Sequence, residues 1–314
     1  ATAVRRLFEI RRRLETSRGY VVLLSYSNTA VDTFRKEYEA LSRISPQLSR
    51  RVLIATVDSF ITSQILLPHG SRTMGCSRQP FLVRGDEPFL KNFEVFNGIH
   101  KVSIGSLHVS IDENGFLFTE SSYHGVRKPV PSEYAIQAIN KLARTGAYTH
   151  ELGRYLSLMA LKDKNRLLKI LARRYPYVLV DEAQDVGLMH GVMLSALEDA
   201  GSTVSLIGDP NQAIYEFAEA DGAYLRDFTP LNGVLRQKLT ENRRSVHAIV
   251  TVANQLTAAE NKTAREAPAR KHGAFLIQYS PDRLTELLST FSNILESNHY
   301  VESKAAVICR GSPV

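Results

Sequence analysis

The chain has 314 residues, of which 44% are hydrophobic and 23% charged, with a net charge of +7 at pH 7. These proportions argue against a disordered or collagen-like chain, and the length suits two domains. No stretch approaches the roughly 18 apolar residues of a membrane helix, and the first residues lack the apolar core of a secretory signal, so we expect no membrane partner. The two cysteines, Cys76 and Cys309, are far apart in sequence, which argues against a disulfide framework or a zinc cluster and favours a cytoplasmic location.

The charges are distributed unevenly along the chain. Six arginines lie in residues 1–18 and six basic residues in residues 161–174, whereas residues 177–232 hold ten acidic residues and one base, Arg226. A basic surface beside an acidic centre predicts a polyanionic partner and a cation held among the carboxylates. The alternative is that the basic residues solvate helix faces, and composition alone favours that alternative.

Apolar segments alternate with helical patterns along much of the chain. A first helix has one apolar face, formed by Val4, Leu7, Phe8 and Leu14. Uniformly apolar strands joined by helices indicate a parallel sheet covered on both faces, and such sheets bind ligands at the carboxyl ends of their strands. The predicted strands are Tyr20–Leu24, Arg51–Ala55, Tyr177–Val180 and Val204–Ile207, and the helices that follow the first two are residues 28–41 and 58–67.

Residues 68–174 interrupt this pattern. A hairpin is predicted from the strand-like residues 102–111 and 116–118, which flank an Asn-Gly turn. Helices are predicted at residues 132–145 and 151–174. We expect this interval to be an inserted, mainly helical subdomain.

A last strand–helix–strand unit is predicted from residues 274–277, 282–296 and 305–309. The predicted organisation is therefore an α/β domain in two parts, an inserted subdomain and the beginning of a second α/β domain. Their bounds are 1–67 and 175–235 for the two parts, 68–174 for the insertion and 236–314 for the second domain.

Two adjacent carboxylates, Asp181 and Glu182, follow the third predicted strand. Successive strand side chains point to opposite faces, so we expect the two acids to have different roles. One can hold Mg²⁺, which takes one or two carboxylates plus substrate phosphates, and the other can orient and deprotonate a water molecule. The alternative, in which both acids cap the next helix, is weakened by the Ala-Gln-Asp that follows and by a second polar strand end downstream.

The fourth predicted strand ends in a Gly-Asp-Pro turn at residues 208–210, and Gln212 and Tyr215 follow at helical spacing. An amide at a strand end can contact a terminal phosphate without adding charge. The rings of Tyr215 and Phe217 can stack on bases, although core packing is the alternative for these aromatic residues.

Paired arginines, Arg243 and Arg244, follow a further apolar segment. Arginine is always charged and binds phosphate oxygens through two nitrogens, as an arginine finger requires. Considered in isolation, a solvated arginine pair is the simpler interpretation.

Five segments together resemble the motifs of UvrD/Rep-like superfamily 1 DNA helicases, and they occur in the order of that family. The segments are Ser25–Ala30, Thr56–Phe60, Asp181–Asp185, Gly208–Tyr215 and Asn242–Ser245. The third resembles the family's Walker B motif, and the last resembles its Asn-Tyr-Arg-Ser motif. The resemblance implies a RecA-like parallel sheet with helices on both faces, and a second RecA-like domain whose first strand is similar to residues 305–310.

The resemblance also implies roles in the binding and hydrolysis of ATP with Mg²⁺. Asp181 would hold the metal, Glu182 would be the general base, and Gln212 would contact the γ-phosphate. Arg244 would be the arginine finger, and Arg243 stands where the family has a tyrosine that stacks on adenine. Closing of the cleft on ATP and its reopening after hydrolysis would move the protein along single-stranded DNA, with 3′ to 5′ polarity by resemblance.

The other motif positions would contact single-stranded DNA, and they are Tyr26, Asn28, Thr56, Ser59, Tyr215 and Phe217. Three positions depart from the family pattern. Asp58 replaces a histidine and would repel a phosphate unless it faces elsewhere, Phe217 replaces a tryptophan, and Thr29 replaces a lysine.

No Gly-x-x-x-x-Gly-Lys-[Ser/Thr] phosphate loop occurs in the sequence. The first helix resembles the helix that follows such a loop. We therefore expect the chain to be a fragment that begins just after the loop, with negligible ATPase activity of its own.

Three alternatives remain open. The first is a helicase-like scaffold that binds DNA or a protein without hydrolysing ATP. The second is a helicase subunit that acts with a nuclease subunit, as in RecB-like DNA repair complexes or Gabija-type antiphage defence systems. A metal nuclease within this chain is the third, and the lack of a second acidic cluster with suitable spacing disfavours it.

Overall fold

The computed structural model divides the chain into two compact units, residues 1–235 and residues 236–314. It is a mixed α/β structure. The residues that it describes are 2–112, 115–121, 127–162, 165–213, 222–228, 236–257, 260–263, 277–278 and 284–299.

Residues 2–74 contain two strands and four α-helices, which are α1 (Thr2–Arg13), β1 (Val21–Ser25), α2 (Asn28–Ser42), β2 (Val52–Thr56), α3 (Val57–Ile61) and α4 (Leu67–Met74). A π-helical turn, Thr62–Leu66, joins α3 to α4. Helical structure therefore continues beyond residue 67, where the sequence pattern predicted its end. Pro68 is tolerated because it lies in the first turn of α4, where a missing backbone N–H costs little.

In the inserted region the structure describes seven strands and three α-helices, namely β3 (Phe81–Leu82), β4 (Glu94–Phe96), β5 (Lys101–Ser103), β6 (Leu107–Asp112), β7 (Gly115–Ser121), β8 (Arg127–Pro129), α5 (Ser132–Ala143), β9 (Ala147–Tyr148), α6 (His150–Leu161) and α7 (Asn165–Arg174). β6 and β7 pair antiparallel, with Asp112 opposite Gly115. The helix predicted at 151–174 is in fact two helices, α6 and α7. The strand predicted at 102–111 is interrupted by a 3-10 turn, in which the Ser103 hydroxyl accepts a hydrogen bond from the backbone N–H of Gly105.

The first unit continues with β10 (Tyr177–Val180), α8 (Leu188–Asp199), β11 (Thr203–Leu206) and α9 (Ala223–Asp227). In the second unit the structure describes β12 (Glu241–Asn242), α10 (His247–Thr257), β13 (Lys262–Thr263) and α11 (Leu284–Ser297). The strand predicted at 305–309 and most of the one predicted at 274–277 lie outside the described residues.

Four parallel strands form the central sheet, in the order β11–β10–β1–β2. Helices cover both faces, because alternate residues of β1 enter two different cores. Val22 and Leu24 pack in the larger core with α3 and the inserted region, whereas Val21 and Leu23 pack against α1 and α2. The predicted parallel sheet is therefore confirmed, and its carboxyl edge gathers the ends of all four strands. Among the described helices, none is both long and apolar enough to cross a membrane.

Candidate functional site

The acidic segment after β10 is anchored by backbone hydrogen bonds on both sides. The N–H of Asp181 donates to the carbonyl of Leu24 at 2.8 Å, and the N–H of Ala183 donates to the carbonyl of Ile207 at 2.9 Å. Between them, Glu182 has a φ of 55°, a left-handed conformation that is uncommon for a residue with a side chain. This turn leaves Asp181 half-buried and Glu182 exposed, so the two carboxylates lie in different environments.

A buried amide, that of Gln184, connects the ends of β10 and β11. Its Nε2 donates to Oε2 of Glu182 at 2.7 Å, and its Oε1 accepts from the backbone N–H of Asp209 at 3.1 Å. Gly208 makes room for this amide, because a Cβ at that position would lie only 2.6 Å from Oε1 of Gln184. The sequence interpretation assigned the amide function of this edge to Gln212 and gave no role to Gln184, although Gln184 lies inside the acidic motif.

Gln212 lies at the end of a 3-10 turn, Pro210–Gln212, that Asp209 caps. The carboxylate of Asp209 accepts from the backbone N–H of Asn211 at 3.0 Å and from Nε2 of Gln212 at 2.9 Å. The Gln212 side chain is exposed, and Gln184, not Gln212, contacts Glu182. Contact of Gln212 with a phosphate stays a prediction. Tyr215 and Phe217 lie outside the described residues.

Crowded carboxylates give the acidic segment the electrostatics of a cation site. Burial and the negative charge of Glu182 raise the pKa of Asp181 to about 6. Burial and Glu182 also raise the pKa of Asp185. Oδ1 of Asp185 is buried and has no hydrogen-bond partner among the described residues.

A bound divalent cation would offset this repulsion, and carboxylate oxygens are suitable ligands for Mg²⁺. The described residues contain no group of three or more His, Cys, Asp or Glu side chains that could hold a metal by themselves. Mg²⁺ would therefore need phosphate and water oxygens for the rest of its coordination, as it commonly does. The residues present fit a metal that arrives with a phosphorylated ligand.

Four of the predicted DNA-contacting residues lie beside each other where β1 and β2 end, since Ser25 and Thr56 are paired in register. Asn28, the first residue of α2, and Ser59 are exposed. The Thr56 hydroxyl caps α3 by accepting from the backbone N–H of Ser59 at 3.2 Å. Tyr26 is half-buried and packs against the larger core.

The hydroxyl of Tyr26 begins a polar network that the sequence interpretation missed. It lies 3.4 Å from Nδ1 of His190, whose Nε2 lies 3.0 Å from Oδ1 of Asp58. Arg154 holds both carboxylate oxygens of Asp58 and also donates to Glu151 at 2.9 Å. His190 on α8 and Arg154 on α6 carry no local motif that could have revealed this contact.

Asp58 is thus surrounded by donors from the protein itself. Burial by itself would raise the pKa of this carboxyl, but hydrogen bonds from His190 and Arg154 and the positive charge of Arg154 outweigh that effect and hold the pKa well below its ordinary value. The expected repulsion between Asp58 and a phosphate does not arise in this geometry, because the carboxylate faces Arg154 and His190.

Arg243 and Arg244 are exposed residues of the second unit. The guanidinium of Arg243 pairs with Oε2 of Glu241, at 2.9 Å from Nε and 2.6 Å from Nη2. The side chain of Asn242 accepts from the backbone N–H groups of Arg244 and Ser245 at 2.9 and 2.8 Å. This turn sets the backbone direction of both arginines, and their roles with a nucleotide stay predictions.

The structure is a mixed α/β fold whose parallel sheet carries the acidic segment and the turn after β11 at its carboxyl edge, where sheets of this class bind ligands. Residues 134–231 match the family model described as the UvrD/REP helicase N-terminal domain. This match spans the acidic segment and the turn after β11. The resemblance to UvrD-like superfamily 1 helicases that the motifs predicted is confirmed.

Individual helicases are also similar to parts of the chain. A probable DNA helicase of Mycoplasma pneumoniae is 31% identical over 36% of this chain and 22% of its own length. The ATP-dependent DNA helicase UvrD2 of Mycobacterium bovis is 30% identical over 45% of this chain and 20% of its own length. The RecBCD enzyme subunit RecB of Mycolicibacterium smegmatis is 40% identical over 26% of this chain and 7% of its own length. The matched parts thus span less than a quarter of each of these relatives.

Proposed function

We propose that these residues form part of an ATP-dependent DNA helicase or translocase that moves on single-stranded DNA. The observation that carries this proposal is the bridged pair of strand ends, in which Gln184 joins Glu182 to the backbone of Asp209 beside the half-buried Asp181. The names of the similar helicases, several of them described as ATP-dependent, support the same conclusion.

Each residue of the acidic segment has a distinct task in this proposal. Asp181 holds Mg²⁺, because it is the partly desolvated carboxylate whose negative charge a cation would compensate. Glu182 is exposed beside it and accepts the proton of the attacking water. Gln184 orients Glu182 through its 2.7 Å hydrogen bond. When bound, Mg²⁺ and the triphosphate supply the charge compensation and the reactive phosphoryl group.

The neighbouring edge of the sheet binds single-stranded DNA in this proposal. Asn28 and Ser59 offer exposed polar side chains for the phosphate backbone, and Tyr26 offers a ring for base stacking. Tyr215 and Phe217 would extend the stacking surface. The proposed direction of translocation is 3′ to 5′, and this polarity rests on the family resemblance alone.

The second unit supplies the remaining charge. Arg244 acts as the arginine finger that stabilises the transferred phosphoryl group, and Arg243 lies against the nucleotide base. Gln212, a residue of the first unit, contacts the γ-phosphate. A guanidinium can stack on an aromatic face, so Arg243 can take over the stacking of the family's tyrosine. In this proposal the whole chain belongs to a two-motor helicase with RecA-like domains.

The proposal is tested by ATP hydrolysis of the full-length protein with and without single-stranded DNA. Glu182→Gln should lower kcat by about 10²- to 10⁴-fold, the contribution of a general base, while binding of Mg-ATP is retained. Glu39→Gln is the matched control, because Glu39 is exposed on α2. Equal hydrolysis by wild type and Glu182→Gln would overturn the proposal, and a wild-type protein that hydrolyses no ATP would favour the scaffold alternative.

The similarity to RecB proteins favours a second candidate, a helicase subunit that works with a nuclease. In that case the full-length protein, isolated from its own cells, should co-purify with a nuclease activity that the Glu182→Gln variant retains. A protein that unwinds DNA alone and brings no nuclease with it would exclude this candidate.

A further inference from the structure

Four side chains from four separate elements meet behind the proposed DNA-binding edge. Tyr26 follows β1, Asp58 lies in the first turn of α3, His190 lies in α8, and Arg154 lies in α6 of the inserted region. Asp58 accepts from Arg154 through both oxygens, at 2.9 and 3.1 Å. His190 lies between Asp58 and Tyr26, at 3.0 Å from the first and 3.4 Å from the second.

The positions of the protons in this network follow from the ionised state of Asp58, at one end of the network. Asp58 is ionised beside the Arg154 guanidinium, so its oxygens can only accept hydrogen bonds. Nε2 of His190 must therefore carry a proton and donate a hydrogen bond to Asp58. In the neutral imidazole Nδ1 is then an acceptor, and the hydroxyl of Tyr26 is its donor. Arg154 thus sets the tautomer of His190 through Asp58, and His190 sets the direction of the Tyr26 hydroxyl.

The arrangement is suited to positioning and unsuited to chemistry at Tyr26. Burial and the negative charge of Asp58 raise the pKa of Tyr26 well above its ordinary value, so the phenol keeps its proton and is no nucleophile. The imidazole also packs against the Tyr26 ring in an edge-on contact, with centroids 5.7 Å apart and planes at 62°. Two independent contacts from one residue, a hydrogen bond and a ring contact, restrict the rotation of the Tyr26 side chain.

We infer that His190 is a positioning residue that fixes the ring of Tyr26 for stacking on single-stranded DNA, and that Asp58 and Arg154 hold His190 in its working tautomer. The inference rests on the proposed function, because it assigns the stacking role to Tyr26. It adds a path of direct contacts from the inserted region to the DNA-binding edge. His190 also lies in the helix that follows the acidic segment, since α8 begins at Leu188 and the acidic turn ends at Asp185.

Two substitutions of the same histidine distinguish positioning from general packing. The side-chain amide of Asn reaches the place of Nδ1, whereas that of Gln reaches the place of Nε2. His190→Asn should therefore keep the contact with Tyr26, and His190→Gln should lose it. We expect the Gln variant to bind a single-stranded oligonucleotide roughly three- to tenfold more weakly than the Asn variant, the value of one hydrogen bond. Equal affinities of the two variants would overturn the inference, and so would tighter binding by the Gln variant.

A double-mutant cycle supplies the second readout. Tyr26→Phe removes only the hydroxyl, so its effect on DNA affinity should shrink in the His190→Gln background, because the hydrogen bond is already absent there. Additive effects would overturn the inference. In ¹⁵N-histidine spectra of the full-length protein, His190 should show a protonated Nε2 and a bare Nδ1, and the opposite tautomer would also overturn it.

Tyr26→Ala separates a failure of this inference from a failure of the proposed function. Loss of a stacked ring should weaken oligonucleotide binding by roughly five- to 100-fold. Unchanged binding would overturn both the stacking role of Tyr26 and the inference that depends on it. Weakened binding together with an additive cycle would leave the proposed DNA-binding edge intact and reject only the role of His190.

Discussion

The guanidinium of Arg154 holds both carboxylate oxygens of Asp58, with Nε 2.9 Å from Oδ1 and Nη2 3.1 Å from Oδ2. The two residues are 96 positions apart in the chain. Their ion pair attaches α6 of the inserted region to the turn that follows β2, beside the proposed DNA-binding edge. An acidic residue can therefore occupy position 58 without presenting its charge to a phosphate.

Removing the guanidinium should destabilise the protein, because Asp58 would keep a partly buried charge. We expect Arg154→Met to lower the free energy of unfolding by about 1–3 kcal/mol. Arg84 and Asp86 form a matched control, a two-bonded pair of nearly the same geometry that is exposed to solvent. Arg84→Met should cost at most about 1 kcal/mol. Urea denaturation checks the prediction. It compares wild type, Arg154→Met, Arg84→Met and the double variant Arg154→Met with Asp58→Asn. Equal losses at the two arginines would contradict it.

Replacing Asp181 should stabilise the ligand-free protein in a pH-dependent way. The pKa of Asp181 is raised from 3.8 to about 6, so between these values the folded state keeps a proton that the unfolded state has lost. Wild-type stability therefore falls as the pH rises through this window, and the full penalty is present above it. Asp181→Asn lacks the penalty and should be more stable than wild type at neutral pH, by at most about 3 kcal/mol.

The measurement is urea denaturation of Asp181→Asn and wild type at about pH 4.5 and about pH 7.5, which lie on either side of the raised pKa of Asp181. The advantage of the variant should be larger at the higher pH. Asp32→Asn is the control, because Asp32 is an exposed carboxylate of α2. A constant difference at both pH values would show that the pKa of Asp181 is not raised. ATP hydrolysis by the full-length protein should be lost in Asp181→Asn, so stability and activity should change in opposite directions.

A methyl group at position 208 should separate the strand ends that Gln184 joins. Cβ of Gly208→Ala would lie 2.6 Å from Oε1 of Gln184 and 2.9 Å from both the backbone nitrogen of Ala183 and Cδ2 of Leu225. We expect a loss of about 1–3 kcal/mol in stability, the usual cost of overpacking. Hydrolysis should also fall, because Glu182 loses its orienting amide.

Thermal unfolding and steady-state ATPase assays of the full-length protein check the Gly208→Ala prediction. Adding Gln184→Ala removes one of the three clashing groups, so the double variant should lose less stability than the two single effects combined. A fully active Gly208→Ala protein would show that the Gln184 bridge is not needed for catalysis.

The two adjacent arginines should differ in their effect on hydrolysis. Arg244→Ala should lower kcat of the full-length protein by about 10³- to 10⁵-fold if Arg244 is the arginine finger. Arg243→Ala should mainly raise KM for ATP, because its proposed contact is with the base. Each variant is the control of the other, and their steady-state kinetics decide between them. Equal effects on kcat would contradict the assignment.

Neutralising the basic residues around α7 should reduce the salt dependence of DNA binding. Lys162, Arg166 and Lys169 are exposed, and Lys164 lies outside the described residues. Replacing the four by Gln should make the plot of log K against log salt shallower by about 0.7 for each lost phosphate contact on a single strand. The comparison is a variant in which four exposed arginines of α1 are replaced, namely Arg5, Arg6, Arg12 and Arg13. An unchanged slope after substitution around α7 would show that these residues do not contact the DNA.

Local residue patterns were enough to predict the strands of the central sheet and its parallel arrangement. Buried strands such as Tyr177–Val180 are apolar at every position because helices cover both faces of the sheet. The place of the acidic segment at the carboxyl edge follows from the same pattern. Helix ends were predicted less well, as at Pro68 and between α6 and α7, because a proline in a first turn and a short helix break change the apolar periodicity very little.

Contacts between distant residues were decided only by the tertiary structure. Gln184 lies only two residues from Glu182, but it is the packing of β10 beside β11 that brings its Oε1 to the backbone N–H of Asp209 and so joins the two strand ends. Likewise, nothing local to Asp58 shows that Arg154 and His190 surround it. Short-range patterns record which face of an element is buried. The partner of a buried charge depends on how elements far apart in the chain pack together, because hydrogen bonds and ion pairs require distances that only the folded chain sets.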